Sequence, residues 1–392
     1  MEKLIAILGL LLAYGSVFFM SKRKKDINWK TIAMVLTTQF VFAFVLIKTP
    51  AWKLVEWTGQ GFSWLIAQSQ AGIEFVFGDL ATSQFTLFFG GLMPVVFISA
   101  FIGVLFHYGI LQKGVRLIGV LVAKVFNINP IVAVNSVTNM FLGQSDALFV
   151  TRSYLPKASE SVIFATLVGG MNSVSVAVLS VYVSQGASME WIVISLPLTV
   201  FTSLALTQIV MPTRYEDASK LVMESDKKEN VLATMMDFGI TGFKAVISIA
   251  VALMVFLSAI AFINGIIGAV VDGATLQKII GVVFYPVAFL MGVPMAELGM
   301  VSEILATKLV MNEAVAFGVF NEYLSVMSAN TQIMVTVVLS SFAAIGSVGI
   351  LLGGYSVIAP SRVGYVAKVG MFALLIAFIS NLITGTLVGL FL

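Results

Sequence analysis

Residues 139–146 read Asn139-Met140-Phe141-Leu142-Gly143-Gln144-Ser145-Asp146, a dense polar cluster in a chain that is 59% hydrophobic and only 10% charged. A carboxylate, an amide and a hydroxyl cannot lie together in hydrocarbon without partners, so such groups face a protein interior or a water-filled cavity. The apolar run before them, residues 130–142, is too short to span a bilayer. The pattern is typical of a re-entrant or broken helix whose free backbone groups coordinate a solute near the membrane midplane.

The composition of the whole chain is that of a membrane protein. Its 392 residues have a mean hydropathy of +1.04, and they include 33 Gly and 9 Pro, which suits packed and interrupted transmembrane helices. Cysteine is absent, which excludes disulfides, thiolate metal sites and cysteine nucleophiles. The single histidine, His107, excludes motifs that need two. A net charge of +3 gives no reason to expect a nucleic-acid partner.

The first apolar segment, residues 4–20, is predicted to be a transmembrane helix and not a signal peptide. Its basic residues, Lys22-Arg23-Lys24-Lys25, follow the apolar run instead of preceding it. Loops rich in lysine and arginine stay in the cytoplasm, so we expect both termini outside. An amphipathic segment, residues 113–124, is expected to lie on the cytoplasmic face, and residues 213–230 form an aqueous loop. Residues 51–78, which include three tryptophans, are predicted to be an interfacial piece plus an imperfect amphipathic helix. The other long apolar segments are residues 32–47, 88–106, 162–183, 191–211, 244–271, 332–352 and 366–392.

Two short apolar runs with breakers occupy corresponding positions in the two halves of the chain. They are residues 130–148 and residues 279–291, the second of which ends at Gly292-Val293-Pro294. Each precedes a span with a small polar centre, residues 170–176 in the first half and 344–350 in the second. Paired, interrupted segments of this kind indicate a secondary transporter that is built from repeats.

Five motifs occur in order along the chain. They are Gly143-Gln144-Ser145-Asp146, Tyr285-Pro286 leading to Gly292-Val293-Pro294, Asn312-Glu313, Phe342-Ala343-Ala344-Ile345-Gly346-Ser347 and Ile350-Leu351-Leu352-Gly353-Gly354. Together they resemble the signature segments of the concentrative nucleoside transporter family, and the resemblance covers nearly the whole chain. It implies an all-α polytopic membrane protein with about eight transmembrane helices, two re-entrant helical hairpins in inverted repeats, and assembly as a homotrimer.

The resemblance also implies a division of the chain and a function. Residues 1–125 would form scaffold helices and a cytoplasmic interfacial helix, and residues 213–275 a cytoplasmic loop and a connecting span. Residues 126–212 and 276–392 would be two transport repeats, each a re-entrant hairpin plus two spans. The implied function is import of nucleosides across the cytoplasmic membrane by alternating access, with Na+ as the coupling ion and no other cofactor.

Roles for the substrate-binding residues follow from the same resemblance. The resemblance implies that Gln144, Ser145 and Asp146 bind the nucleobase, since an amide and a carboxylate can hydrogen-bond to the donors and acceptors at the edge of a base. It implies that Glu313 and Ser347 bind the ribose, because a buried carboxylate that accepts hydrogen bonds from two sugar hydroxyls makes strong charge-assisted bonds. The apolar positions beside the nucleoside are Val178 and Phe342.

A sodium site is implied beside the substrate. Its residues are Asn139, Leu142, Ser173 and Val174, which offer two side-chain oxygens and freed backbone carbonyls. Family members that use protons often have Ser at the position of Asn139, so its presence favours Na+. A proton needs only one titratable group, for which Asp146 or Glu313 would serve, and H+ coupling is therefore the alternative.

The chain departs from the family pattern at several pocket positions. Asp146 stands where Glu is usual, Ser145 where Thr is frequent, Ala344 where Asn contacts the ribose, and Ala314 where Phe commonly follows Asn-Glu. The pocket has thus lost one amide and shortened one acid. A site built to hydrogen-bond a hydroxyl strongly rejects analogues that lack it, so these changes bear on substrate choice more than on fold.

Structural explanations of the same residues remain open. Residues 144–146 are also good helix caps, and Asn139 is also suited to an inter-helix hydrogen bond. Glu313 is alternatively half of an ion pair with Lys308, and Phe342 serves packing as well as the pocket.

Two other functional classes compete with transport. Gly143-Gln144-Ser145 loosely matches the Gly-x-Ser of intramembrane serine proteases, for which His107 is the only available partner. A passive channel is the second alternative. A solute-sized polar site with hairpins suits alternating access better than a continuous pore, so transport is the favoured prediction.

Overall fold

The computed structural model describes residues 1–82, 87–144, 146–216, 230–271 and 273–392, and the regular elements of these residues are helices. The α-helices are α1 Glu2–Met20, α2 Trp29–Lys48, α3 Trp52–Phe77, α4 Asp79–Thr82, α5 Pro94–His107, α6 Ile110–Phe126, α7 Pro130–Leu142, α8 Asp146–Val150, α9 Glu160–Met171, α10 Leu179–Ser184, α11 Met189–Val210, α12 Val231–Val270, α13 Leu276–Leu290, α14 Leu298–Val310, α15 Glu313–Tyr323, α16 Ala329–Leu339, α17 Ile345–Ile358 and α18 Val363–Phe391. The predicted site residue Ser145 and most of the predicted aqueous loop 213–230 lie outside the described residues.

Seven helical segments in the described part of the chain are long and apolar enough to cross a hydrocarbon core, which takes about 20 residues. They are Glu2–Met20, Trp29–Lys48, Leu87–His107, Glu160–Ser184, Met189–Val210, Val231–Val270 and Pro360–Phe391. The pair α16 and α17 has the length of an eighth span, interrupted at residues 340–344. The predicted all-α polytopic fold with about eight transmembrane helices is confirmed, while the number of re-entrant hairpins stays a prediction.

The order of elements from α6 to α11 recurs from α13 to α18. Each half begins with a helix that packs on the next one, α6 on α7 and α13 on α14. A helical hairpin follows, α7–α8 or α14–α15, then a broken helix, α9–α10 or α16–α17, and then a long helix, α11 or α18. The long helix α18 contacts α9, α11 and α16, so the buried centre of the molecule is shared by both halves.

This order corrects one prediction. The run at residues 279–291 was expected to match the interrupted run at 130–148, but it lies in the continuous helix α13, and the hairpin of the second half is α14–α15. Gly292, with a φ of +82°, ends α13 and starts a turn toward α14 instead of forming a hairpin tip. The counterpart of residues 279–291 is therefore the amphipathic helix α6.

The interruptions have local causes in the sequence. Gly143 ends α7 with a φ of +83° and a ψ of 173°, a conformation that is essentially restricted to glycine. Asn312 begins α15, and its side chain accepts a hydrogen bond of 2.9 Å from the N–H of Val315. Ser175 caps the short helical turn Val176–Val178 by accepting from the N–H of Ala177 at 3.2 Å.

Outside the two halves, α5 and α12 form a closely packed pair. A Cβ on Gly242 would lie 2.6 Å from the Ser99 hydroxyl, which shows how near the two backbones approach. Two segments differ from the prediction. The segment at residues 51–78 is more regular than expected, since it contains the single helix α3, and the span predicted at 244–271 is longer, since its helix begins at Val231.

Candidate functional site

The two hairpin tips and the two helix breaks meet around one cavity of about 390 Å³. It is lined by all of the predicted substrate residues that the structure describes. They are Gln144, Asp146, Val178, Glu313, Phe342 and Ser347. Sequence positions about 200 residues apart are therefore brought together as predicted, whereas their roles toward a substrate stay a prediction.

The first hairpin contributes an amide and a carboxylate to this cavity. Gln144 is buried, its Nε2 donates to the Ser347 hydroxyl at 3.4 Å, and its Oε1 has no partner within the described structure. A buried acceptor without a partner is costly, so this oxygen is a candidate acceptor for a donor from a bound solute. Asp146 is exposed in the cavity wall at the start of α8.

The second hairpin contributes the carboxylate of Glu313, at the start of α15. Glu313 is 9% exposed, and its Oε1 accepts a hydrogen bond of 3.1 Å from the Tyr182 hydroxyl. Tyr182 also lines the cavity and stacks on Phe317 with ring centroids 4.7 Å apart. Sequence reasoning missed Tyr182, because no motif marks it and tyrosine is ordinary in a membrane helix.

The break in the second half holds the pocket's apolar wall and ties the two halves together. The Phe342 N–H donates to the Ser173 carbonyl at 3.0 Å, which joins the second break to the first. The Phe342 carbonyl accepts from the Ser347 hydroxyl. Ala344 lines the cavity at the position where the family pattern has Asn, so the side chain in the cavity wall is shorter and apolar there.

The opposite wall comes from α5 and α12. Residues of these helices that line the cavity include Ser99, Thr241, Ser248 and Phe256. The cavity therefore lies between the packed α5–α12 pair and the hairpins, which is the place where relative movement of the two bodies would open or close it.

The predicted ion-binding residues lie where α7 ends against the first break. Asn139 is 1% exposed, and its Nδ2 donates to the carbonyl and the side chain of Asn135 at 2.9 and 3.0 Å. Its Oδ1 is buried without a partner in the described structure, as a cation ligand would be. The Ser175 hydroxyl donates to the Phe141 carbonyl at 3.3 Å, which holds the break against the end of α7.

The other three predicted ion ligands belong to the same region. Leu142 is the last residue of α7, and Ser173 and Val174 lie in the break itself. All three are buried. The Ser173 hydroxyl donates its proton to the Gly170 carbonyl at 3.1 Å, so the lone pairs of its oxygen remain for another partner.

Three protein-family models match the chain in order. The model described as "Na+ dependent nucleoside transporter N-terminus" matches residues 8–80, "Nucleoside recognition" matches residues 88–189, and "Na+ dependent nucleoside transporter C-terminus" matches residues 191–389. The chain belongs to the concentrative nucleoside transporter family. The family's description as Na+ dependent is consistent with Na+ as the coupling ion.

Relatives and solved structures of this family match from end to end. An uncharacterized transporter of Haemophilus influenzae is 30% identical, covering 100% of this chain and 98% of the relative. The purine nucleoside transport protein NupG of Bacillus subtilis is 28% identical, with 99% of each chain covered. The solved structure of CNTnw in an inward-facing substrate-bound state has a TM-score of 0.95 at 30% identity, covering 100% of this chain and 98% of CNTnw.

Membership of the concentrative nucleoside transporters removes the enzyme alternative. The family consists of transporters. Ser145 lies outside the described residues, and His107 Nδ1 lies 3.0 Å from the Thr234 hydroxyl between α5 and α12. The suggested ion pair between Glu313 and Lys308 is not formed as a direct contact, because each side chain has other hydrogen-bond partners. Lys308 donates to the Val338 carbonyl and to the Ser341 hydroxyl, whereas Glu313 accepts from Tyr182.

Proposed function

We propose that this protein is a secondary active symporter that imports nucleosides across the cytoplasmic membrane with Na+ by alternating access. One observation carries the proposal: Gln144, whose Oε1 has no partner in the described structure, lines one cavity together with Asp146 and Glu313, and the unpartnered Asn139 Oδ1 belongs to the helical turn before the same tip. Solute and ion would then be held by adjacent parts of hairpin α7–α8, which is what coupling requires.

In this proposal the nucleobase contacts Gln144, Ser145 and Asp146. The ribose hydroxyls donate to Glu313 and bind Ser347, while Val178 and Phe342 cover the apolar faces of the nucleoside. A cavity of about 390 Å³ is of the size that small-molecule sites have in proteins. Relatives such as NupG, whose name states purine nucleosides, make purines a substrate class to test beside pyrimidines.

The ion would be held by Asn139 Oδ1, the Ser173 hydroxyl and the carbonyls of Leu142 and Val174. Neutral oxygens suit Na+, and the freed carbonyls of a broken helix are a frequent source of them in transporters. A bound ion would join α7 to the first break and so fix the tip that contacts the base. The competing proposal is H+ coupling, favoured by the two acidic side chains, Asp146 and Glu313, that line the cavity.

Uptake into proteoliposomes separates these proposals. Labelled adenosine and labelled uridine are supplied with an inward Na+ gradient, with choline in place of Na+, and with a pH gradient alone. We expect accumulation above the external concentration only with the Na+ gradient. Accumulation that survives in choline and collapses with the pH gradient would establish H+ coupling, and equilibration without accumulation under every gradient would establish a passive channel.

Assembly and orientation belong to the same proposal. We infer a homotrimer with both termini outside. We also infer four regions of the chain, which are the scaffold 1–125, the first repeat 126–212, the linker and span 213–275, and the second repeat 276–392. The basic run Lys22 to Lys25 supports a cytoplasmic end for α1. Mass measurement of the detergent-solubilised protein tests the trimer, and accessibility of a tag at either end in intact cells tests the orientation.

A further inference from the structure

The breaks of the two halves correspond residue by residue. Met171 is the last residue of α9 and Leu339 is the last residue of α16. Two positions later stand Ser173 and Ser341. One position before the helix ends stand Gly170 and Val338. The Ser341 hydroxyl and the Val338 carbonyl are thus the counterparts, in the second half, of the Ser173 hydroxyl and the Gly170 carbonyl.

A lysine ammonium occupies this second position. Lys308 lies in the last turn of α14, the first arm of its hairpin, and is fully buried. Its Nζ donates to the Ser341 hydroxyl at 2.7 Å and to the Val338 carbonyl. An ammonium is a compact point charge with three donors, and here it joins the first arm of a hairpin to the break behind it.

The corresponding hairpin arm of the first half carries an amide and no charge in its last turn. Asn139 lies in the last turn of α7, the first arm of its hairpin, and its buried Oδ1 has no partner in the described structure. Ser173, the counterpart of Ser341, lies in the break behind that arm. Where the first half offers oxygens for a cation, the second half supplies the cation from its own chain.

The charge of Lys308 also reaches the substrate site. Glu313 is five residues further on and begins the second arm of the same hairpin. A buried carboxylate needs a compensating charge, because removing both ions from water costs several kcal/mol per ion. A charged Lys308 would therefore help to hold a negative charge at Glu313 without any bound ion.

From this we propose that Lys308, in its charged form, is a tethered cation, the built-in equivalent in the second half of the Na+ that binds the first half. It keeps hairpin α14–α15 closed on its break at all times and leaves hairpin α7–α8 as the one that responds to the ion. The proposal rests on the proposed function for the Na+ site at Asn139. It adds that nucleoside binding depends on a single Na+ and that Lys308 positions Glu313 independently of it.

Nucleoside affinity of the purified protein, measured against Na+ concentration with choline as replacement, tests this. We expect wild-type affinity to rise with Na+ with a Hill coefficient of about 1, as one coupled ion requires. Lys308→Met should weaken nucleoside binding by about tenfold or more at every Na+ concentration, within the range of measured couplings, and leave the apparent Na+ affinity unchanged. Lys308→Arg keeps the charge and should retain most of the binding. Lys278→Met, which removes an exposed lysine whose Nζ donates to the Gly273 carbonyl at 3.2 Å, is the matched control and should behave as wild type.

A gentler pair of variants keeps the proposal testable if Lys308→Met does not fold. Ser173→Ala should lower the apparent Na+ affinity, whereas its counterpart Ser341→Ala should weaken nucleoside binding several-fold and leave Na+ dependence unchanged. An equal shift in Na+ affinity for both serine variants would overturn the tethered cation, as would unchanged nucleoside binding in a folded Lys308→Met protein. A wild-type protein without any Na+ effect would instead refute the Na+ coupling, while the contrast between Met and Arg at position 308 would still test Lys308.

Discussion

At the scale of single residues, Glu313 is the side chain with the most specific consequence. Its buried carboxylate lines the cavity and accepts a hydrogen bond of 3.1 Å from the Tyr182 hydroxyl. Glu313→Gln keeps the shape and an oxygen that can still accept from Tyr182, but it removes the charge. Hydrogen bonds to charged groups contribute about 1.5–3 kcal/mol, so we expect nucleoside uptake to fall by about 100-fold with two sugar hydroxyls affected.

This expectation is checked by uptake in proteoliposomes, with the elution profile and thermal unfolding of the same preparation as proof of folding. Glu322→Gln is the matched control, since Glu322 is exposed on the same helix α15 and should be dispensable. Near-normal uptake by a folded Glu313→Gln protein would exclude Glu313 from the substrate site.

The pocket residues that carried a motif were predictable from the sequence, and those without one were not. Gln144, Asp146 and Glu313 are polar groups in apolar surroundings, so each required partners in lipid. Tyr182 carried no such signal, because tyrosine is ordinary in a membrane helix. Lys308 was noticed only as a partner for Glu313, since its contacts with Ser341 and Val338 depend on the fold of the second break.

At the scale of elements, the tip of hairpin α7–α8 depends on the backbone of Gly143. Its φ of +83° and ψ of 173° lie in a region that costs other residues on the order of 1–3 kcal/mol. A Cβ there would also lie 3.1 Å from the Ser175 Cβ, in the break that the tip contacts. We expect Gly143→Ala to lower the unfolding temperature and to weaken nucleoside binding by about tenfold.

The matched substitution is Gly353→Ala in α17, where an added Cβ meets nothing within 4 Å and the backbone is helical. Alanine is favoured over glycine in a helix by about 1 kcal/mol, so this variant should be as stable as wild type or slightly more so. Equal thermal unfolding and binding in the two variants would show that the conformation of Gly143 is not needed.

The long apolar helices were predicted well from the sequence, whereas the positions of the short apolar runs in the two repeats were not. A run of 13 apolar residues ended by a glycine and a proline has the same sequence appearance in a hairpin arm and in a packed helix. Residues 279–291 were for this reason matched to the wrong partner, and only the contact of α13 with α14 identifies them as the counterpart of α6. The Asn312-Glu313 interruption, by contrast, does mark the tip of hairpin α14–α15.

At the scale of the whole molecule, the cavity has two walls of different origin. One wall belongs to the hairpins and breaks of the repeated halves, and the other to the close-packed pair α5–α12. Each repeat is held to the other through contacts such as the Phe342 N–H on the Ser173 carbonyl, so the hairpins and breaks form one packed body. In the proposed alternating access, movement of this body along α5–α12 would carry the bound nucleoside without opening a continuous pore.

Because the chain has no cysteine, a single introduced thiol reports on this arrangement. Ser248 lines the cavity from α12, so a nucleoside bound between the walls should shield a cysteine at that position. We expect Ser248→Cys to react with a water-soluble thiol reagent and to be protected several-fold by saturating nucleoside. If Na+ and nucleoside stabilise each other's binding, protection at a fixed, sub-saturating nucleoside concentration should be greater in Na+ than in choline.

Ser356→Cys is the control, because Ser356 is exposed on α17 outside the cavity lining, and its reaction rate should not change with either solute. Equal rates at Ser248→Cys with and without nucleoside would place the substrate elsewhere, and protection by nucleoside that is the same in choline would separate substrate binding from the ion.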